Sequence, residues 1–171
     1  MVELEILGVR RQTDLDQVVV LLLDLQGKRL LPVVVGTSEG TAIAAGQAGL
    51  RPPRPMTHDL LVSVLATCDV AVVQVEIVAL VDGVFHAELV LDNGLRVDSR
   101  ASDAVAVAVR AGCPVLCSAE VLDESSLEVE EGEPETPAPE PEEELEEFRA
   151  FLEQVTPEDF EEGGHEGRGT G

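Results

Sequence analysis

Tryptophan and tyrosine are absent from this 171-residue chain, and phenylalanine occurs only four times. A core without large rings must be assembled from Val, Leu, Ile and Ala, which suits β-strands and small-residue helices. Cysteine is scarce too. There are three (Cys68, Cys113 and Cys117), an odd number with no CxxC pair, which excludes a zinc ribbon or thioredoxin-type site and leaves buried free thiols in a reducing compartment. No apolar run approaches the ~20 residues of a membrane helix, and MVELEILGVRRQ lacks the apolar stretch of a secretory signal. A soluble, cytoplasmic protein without membrane contact is expected. The signatures of the commonest enzyme classes are also missing: no Walker loop, GxSxG, HExxH, or GxGxxG after a strand.

Positive charge is in short supply, with 11 Lys and Arg against 34 Asp and Glu and a formal charge of -23. The deficit is uneven. Residues 1–118 carry a net of -5, and residues 119–171 carry -18. The acidity therefore belongs to the C-terminal third and says little about the partner of the rest.

Four segments follow from composition. Residues 1–118 read as one domain. Residues 119–141, rich in Glu and Pro, read as a linker that cannot bury enough apolar surface to order itself. Residues 142–160 place Leu145, Phe148, Leu152 and Val155 on one helical face, with Phe151 beside it, which predicts an amphipathic helix that docks on its own domain, a neighbouring subunit or a protein partner. Residues 161–171 read as a disordered tail.

Within the domain, VELEILGVR alternates as a half-buried strand, QVVVLLLDL forms a second, and a turn at Gly27 leads to a third. Thr37 and Ser38 then precede a small-residue helix with Glu39 in its first turn. Thr57 reads as the N-cap of HDLLVSVLATC, whose Leu60, Leu61, Val64 and Leu65 make an apolar stripe. Three more strands follow, with turns at Asp82-Gly83 and Asn93-Gly94, and then the helix AVAVAVRAG, stopped by Gly112. The order strand-strand-strand-helix has occurred twice, with Ser38-Glu39-Gly40 opposite Ser102-Asp103-Ala104. An α+β fold is expected, in which duplicated units form a mixed β-sheet or barrel-like core with helices packed on it, plus the acidic extension.

The polar residues of interest cluster at helix starts. Glu39, Thr57, His58, Asp59, Ser102 and Asp103 open helices, and Arg51, Arg54, Asp98 and Arg100 lie in the approaches. Helix N-termini bind carboxylates and phosphate alike. Arg54 and Arg100 would clamp phosphate oxygens, His58 would act as general acid or base, and Asp59, Asp98 and Asp103 would hold a divalent ion such as Mg²⁺ or Mn²⁺. The same residues also read as ordinary caps with their ion-pair partners.

Four segments, GTSEGTAIA, RPMTHDLL, DGVFHAELVL and VDSRASDAVAVAVRAGCPV, in this order and spacing, resemble the bifunctional nuclease domain family over about residues 1–118. The resemblance implies self-association and hydrolysis of DNA and RNA, with nucleic acid as substrate. It places Glu39, Arg54, Thr57, His58, Asp59, Asp98, Arg100, Ser102 and Asp103 at the family's distinctive polar positions. Catalytic roles are expected for Glu39, His58, Asp59 and Asp103, and substrate contacts for Arg54, Thr57, Arg100 and Ser102. The alternative is a non-catalytic module that binds a phosphorylated ligand or a protein partner.

Overall fold

A computed structural model describes residues 1–12, 17–24, 26–50 and 52–128. Two antiparallel meanders supply most of its sheet. The first is β1 (Val2–Gln12), β2 (Gln17–Asp24) and β3 (Arg29–Val35), and the second is β4 (Val72–Val81), β5 (Val84–Leu91) and β6 (Arg96–Arg100). The β4–β5 hairpin turns on Asp82 and Gly83, whose φ angles of 50° and 77° match the right-handed twist of the strands they join.

Between the meanders runs β7 (Val115–Cys117), antiparallel to β1 and parallel to β4. A short β8 (Leu127–Glu128) adds to β3. The order β6-β5-β4-β7-β1-β2-β3-β8 has two ends, so the core is an open mixed sheet rather than a closed barrel.

Among the described residues four helices accompany the sheet: α1 (Thr37–Gln47), α2 (Thr57–Thr67), α3 (Ala101–Ala111) and α4 (Ala119–Ser125). Five consecutive residues of α3, Ala104 to Ala108, are fully or almost fully buried. A helix buried on all sides needs small apolar residues throughout, and AVAVAV supplies them. β3, β4, β5 and β6 touch α3 from the sheet, while α1 and α2 pack on it. Gly112, at φ 67°, ends it in the left-handed conformation expected of a C-terminal glycine.

α1 lies beside α3 and runs the same way. Glu39 reaches Arg100 at one end, and Gly46 meets Val109 and Arg110 at the other. A Cβ at position 46 would stand 2.8 Å from Val109 Cγ1, so glycine sets the closeness of this seam. The rest of the core is aliphatic: Leu22, Leu31, Ile43 and Leu122 are all fully buried, each worth about 1.5–3 kcal/mol of burial.

Three expectations change. The apolar stripe of α2 does not face the core: the helix has no buried residue, and Leu60, Leu61 and Val64 are exposed. Val62 and Leu65 are the α2 residues that pack, because only the side turned to α3 finds a partner. Cys68 is exposed, while Cys117 is buried and its thiol is pushed up to about 12 by burial. Ordered structure also continues beyond residue 118. Ser118 caps α4 by accepting from the Val121 N–H, and Val121 and Leu122 enter the core, so residues 119–128 pack with the domain. The remainder of the expected linker, the helix at 142–160 and the tail at 161–171 lie outside the described residues.

Candidate functional site

The caps are not where the hydroxyls suggested. Gly36, Met56 and Arg100 occupy the N-cap positions of α1, α2 and α3, with extended backbones and no side-chain cap bond. Thr57 and Ser102 lie one or two residues inside their helices, where their backbones are already helical. Counting inward from each cap, the third residue is Glu39, Asp59 or Asp103. All three helices thus carry an acid at one equivalent place, where the positive end of the helix dipole favours it. At α2 this acid does the capping: Asp59 Oδ2 accepts the Met56 N–H at 2.9 Å.

The three helix starts converge. Arg100 stands between two acids, donating from Nη2 to Glu39 Oε1 at 2.9 Å and from Nε to Asp103 Oδ2 at 2.7 Å. A further bond from Nη2 to Asp103 Oδ1, at 3.1 Å, completes a fork. His58 Nε2 meets Asp103 Oδ1 at 3.0 Å. A cavity of about 280 Å³ opens here, with Ser38, Glu39, Thr57, His58, Arg100 and Asp103 in its wall. Arg100 is largely exposed and its Nη1 has no acceptor among the described residues, so one face of the guanidinium is open to a ligand.

Burial alone pushes the Asp103 carboxyl up, but the Arg100 and His58 hydrogen bonds outweigh it and hold the group below the usual carboxylate range. Arg100 is correspondingly raised by Asp103 and Glu39. The second ring nitrogen of His58, Nδ1, is buried and has no hydrogen-bond partner among the described residues. A protonated Nδ1 would bury a donor without an acceptor, so the geometry assigns the ring proton to Nε2, donating to Asp103. His58 therefore presents no free nitrogen to a substrate, and in this arrangement it positions Asp103.

Asp59 faces the other way. Arg110 Nε donates to its Oδ1 at 2.5 Å, and it lines a separate cavity. Burial raises the Asp59 carboxyl, and the Met56 N–H and Arg110 together bring it below the usual range. Asp98 is exposed on β6, paired across the sheet with Glu88. Arg54 is exposed. Ser102 lines a third cavity, shared with Arg100, between β3 and the β4–β5 hairpin.

The three expected metal ligands are thus separated, and Asp59 and Asp103 are already held by arginine. Among the described residues no three His, Cys, Asp or Glu side chains form a metal-holding group. To ligate Mg²⁺ or Mn²⁺, Asp59 or Asp103 would have to give up an arginine, with water and phosphate oxygens supplying the rest of a six-oxygen shell.

Sequence reasoning missed the site roles of Arg110 and Met56, and singled out Ser38 only as a residue of a helix start. Arg110 left one trace, a charge on the otherwise apolar AVAVAVRAG, whereas Met56 acts through its backbone and left none.

Residues 20–130 match the bifunctional nuclease domain. Two Mycobacterium tuberculosis proteins are each 39% identical over 159 residues, covering 92% of this chain and 97% of their own length. One, from strain CDC 1551 / Oshkosh, is described as "Uncharacterized protein MT1877", and the other, from strain ATCC 25618 / H37Rv, as "Uncharacterized protein Rv1829". The domain match covers well over half of the chain and includes all three converging helix starts: the chain belongs to the bifunctional nuclease domain family.

Proposed function

We propose that this protein is a nuclease of DNA or RNA whose phosphodiester seat is the meeting point of α1, α2 and α3. One observation carries the reading: Arg100 is fixed between Glu39 and Asp103 at three helix starts, with one side of its guanidinium uncommitted. First-turn N–H groups lack intrahelical acceptors, and together with an arginine they are suited to phosphate oxygens. That α1 and α3 open the site in the same way also supports reading the domain as a duplicated unit.

Within this proposal the residues divide by role. Arg100 neutralises charge developing on the phosphoryl oxygens. Glu39 is bound to Arg100 through one oxygen only and takes the proton of an attacking water as its oxygen bonds to phosphorus, while the P–O bond to the leaving sugar oxygen breaks and that oxygen takes a proton from solvent. Asp103 and His58 orient Arg100. Asp59 fixes the start of α2 from behind, and Arg54, on the approach, meets the flanking phosphate. No step is routed through a metal, because Asp59 and Asp103 are each already bound to an arginine.

The test is cleavage of labelled single-stranded RNA and DNA with Mg²⁺, with Mn²⁺ and with EDTA, by the native protein, Glu39→Gln and Arg100→Gln. Cutting by the native protein that is lost in both variants, at unchanged melting temperature, is expected. Equal cutting by all three would exclude both residues and point to a contaminant.

A second reading, a non-catalytic module for a phosphorylated ligand, is favoured by the saturation of Asp103 and the burial of His58 Nδ1. It predicts stabilisation by nucleotides in a dye-based thermal shift without any cleavage.

A further inference from the structure

A second cavity of the domain holds neither Arg100 nor His58. It measures about 450 Å³, within the range of small-molecule sites, and lies at the far end of the α1–α3 seam. Glu39 marks one end of that seam and Gly46 the other, seven residues apart, so about 10 Å at the rise of an α-helix. The start of α2 borders both cavities. Thr57 and His58 line the first, while Asp59, Val62 and Ser63, spaced i, i+3 and i+4, line the second.

Arg110 is the unusual group in this cavity. Its side chain is only 8% exposed, yet its five N–H bonds are not all used. Nε donates to Asp59, Nη1 to the Ala106 carbonyl at 2.9 Å, and Nη2 has only the Met56 Sδ at 3.9 Å. Two N–H bonds have no acceptor among the described residues, and a buried guanidinium short of acceptors calls for one from outside. Gly46 keeps it accessible, because a Cβ there would stand 3.1 Å from Nη1. Beside this donor, Asp59 offers an acceptor, and Pro53, Pro55, Val62 and Val109 supply stiff apolar walls.

We propose that this cavity takes the base of a nucleotide whose phosphate lies at the three helix starts. A flat ring with a donor and an acceptor side by side on its edge suits the Arg110–Asp59 pair and the apolar walls. An anion at one end and such a ring at the other is the chemistry of a nucleotide. The inference rests on the phosphate seat proposed above and names what lies next to it.

Titration calorimetry of the full chain with uridine and guanosine 5′-monophosphates, against ribose 5-phosphate, tests it. Ser63 is exposed at the cavity rim, so Ser63→Trp fills the space without entering the core, and Ser63→Leu repeats the block with a smaller side chain. The nucleotides are expected to bind about tenfold or more tightly than ribose 5-phosphate, the scale of one stacked base. Both variants should erase that preference while leaving ribose 5-phosphate affinity and the far-UV circular dichroism unchanged. Equal binding of all three ligands, or a preference that survives both variants, overturns the base cavity and leaves the phosphate seat standing. Failure of ribose 5-phosphate and nucleotides alike to bind overturns the phosphate seat and this inference with it.

Discussion

Arg110 Nε and Asp59 Oδ1 lie 2.5 Å apart although the residues are 51 positions apart in sequence, and this bond ties α2 to α3. α2 has no buried residue of its own, so hydrophobic burial gives it little purchase. The pair, with the Met56 N–H on the other Asp59 oxygen, fixes where His58 and Thr57 stand. Arg110→Met should cost about 2–3 kcal/mol, because it leaves a partly buried carboxylate without its partner. Urea unfolding followed by circular dichroism measures this, and a loss below about 0.5 kcal/mol would show that α2 is held by something else.

Acid should unfold the domain from below about pH 4. Asp24, Asp59, Glu76 and Asp103 are all lowered in the folded state: Asp24 chiefly by the Gly27 N–H, Glu76 chiefly by Arg96, and Asp59 and Asp103 by bonds that overcome their burial. A carboxyl lowered by folding adds stability that is complete above its unfolded value, about 4, and disappears as pH falls through the folded value. Unfolding midpoints between pH 2 and pH 7 should be flat above about pH 5 and fall steeply below pH 4. In Asp59→Asn the acid limb should be shallower, since one of the four groups no longer titrates.

The ring proton of His58 should sit on Nε2. Long-range nitrogen–proton NMR distinguishes the tautomers, and with three histidines in the chain the His58 pattern is assigned by its absence from His58→Gln. Asp103→Ala removes the acceptor and should free the ring to exchange tautomers. Observation of the Nδ1–H tautomer in the native protein would reverse the roles given to the two nitrogens.

Gly36→Ala should damage the site while sparing the fold. The Glu39 carboxylate lies over Gly36, where a Cβ would collide with its Oε2. The carboxylate is the end of a flexible side chain and can move aside, at a stability cost of about 1 kcal/mol or less. Moving aside takes Glu39 from Arg100, so nucleotide binding and any cleavage should fall while the melting temperature changes little.

Two aliphatic truncations separate core from surface. Leu22→Ala, at a fully buried position in β2, should cost about 2–5 kcal/mol. Val64→Ala, on the exposed side of α2, should stay within about 0.5 kcal/mol. A large loss at Val64 would mean that this face of α2 is covered in solution.

Local rules settled much of this protein in advance. The alternation and β-branching of QVVVLLLDL and VELEILGVR, the Asp82-Gly83 and Gly112 stops, and the AVAVAV run dictate strands, turns and a small-residue helix from neighbour to neighbour. The three acids in first turns were legible for the same reason, since the helix dipole rewards them wherever the helix points. Which acid faces which arginine was not legible. Asp59 and Asp103 occupy equivalent places in their helices, yet one faces Arg110 and the other Arg100 and His58. The choice depends on α1 and α3 lying side by side at the approach that Gly46 permits, and on α2 packing against α3 beside that seam. The same packing turned Leu60 and Val64 outward, though their spacing satisfies a core stripe. Periodicity marks which residues share a face, and only the neighbour that arrives from elsewhere in the chain decides whether that face is buried, charged or left open to a ligand.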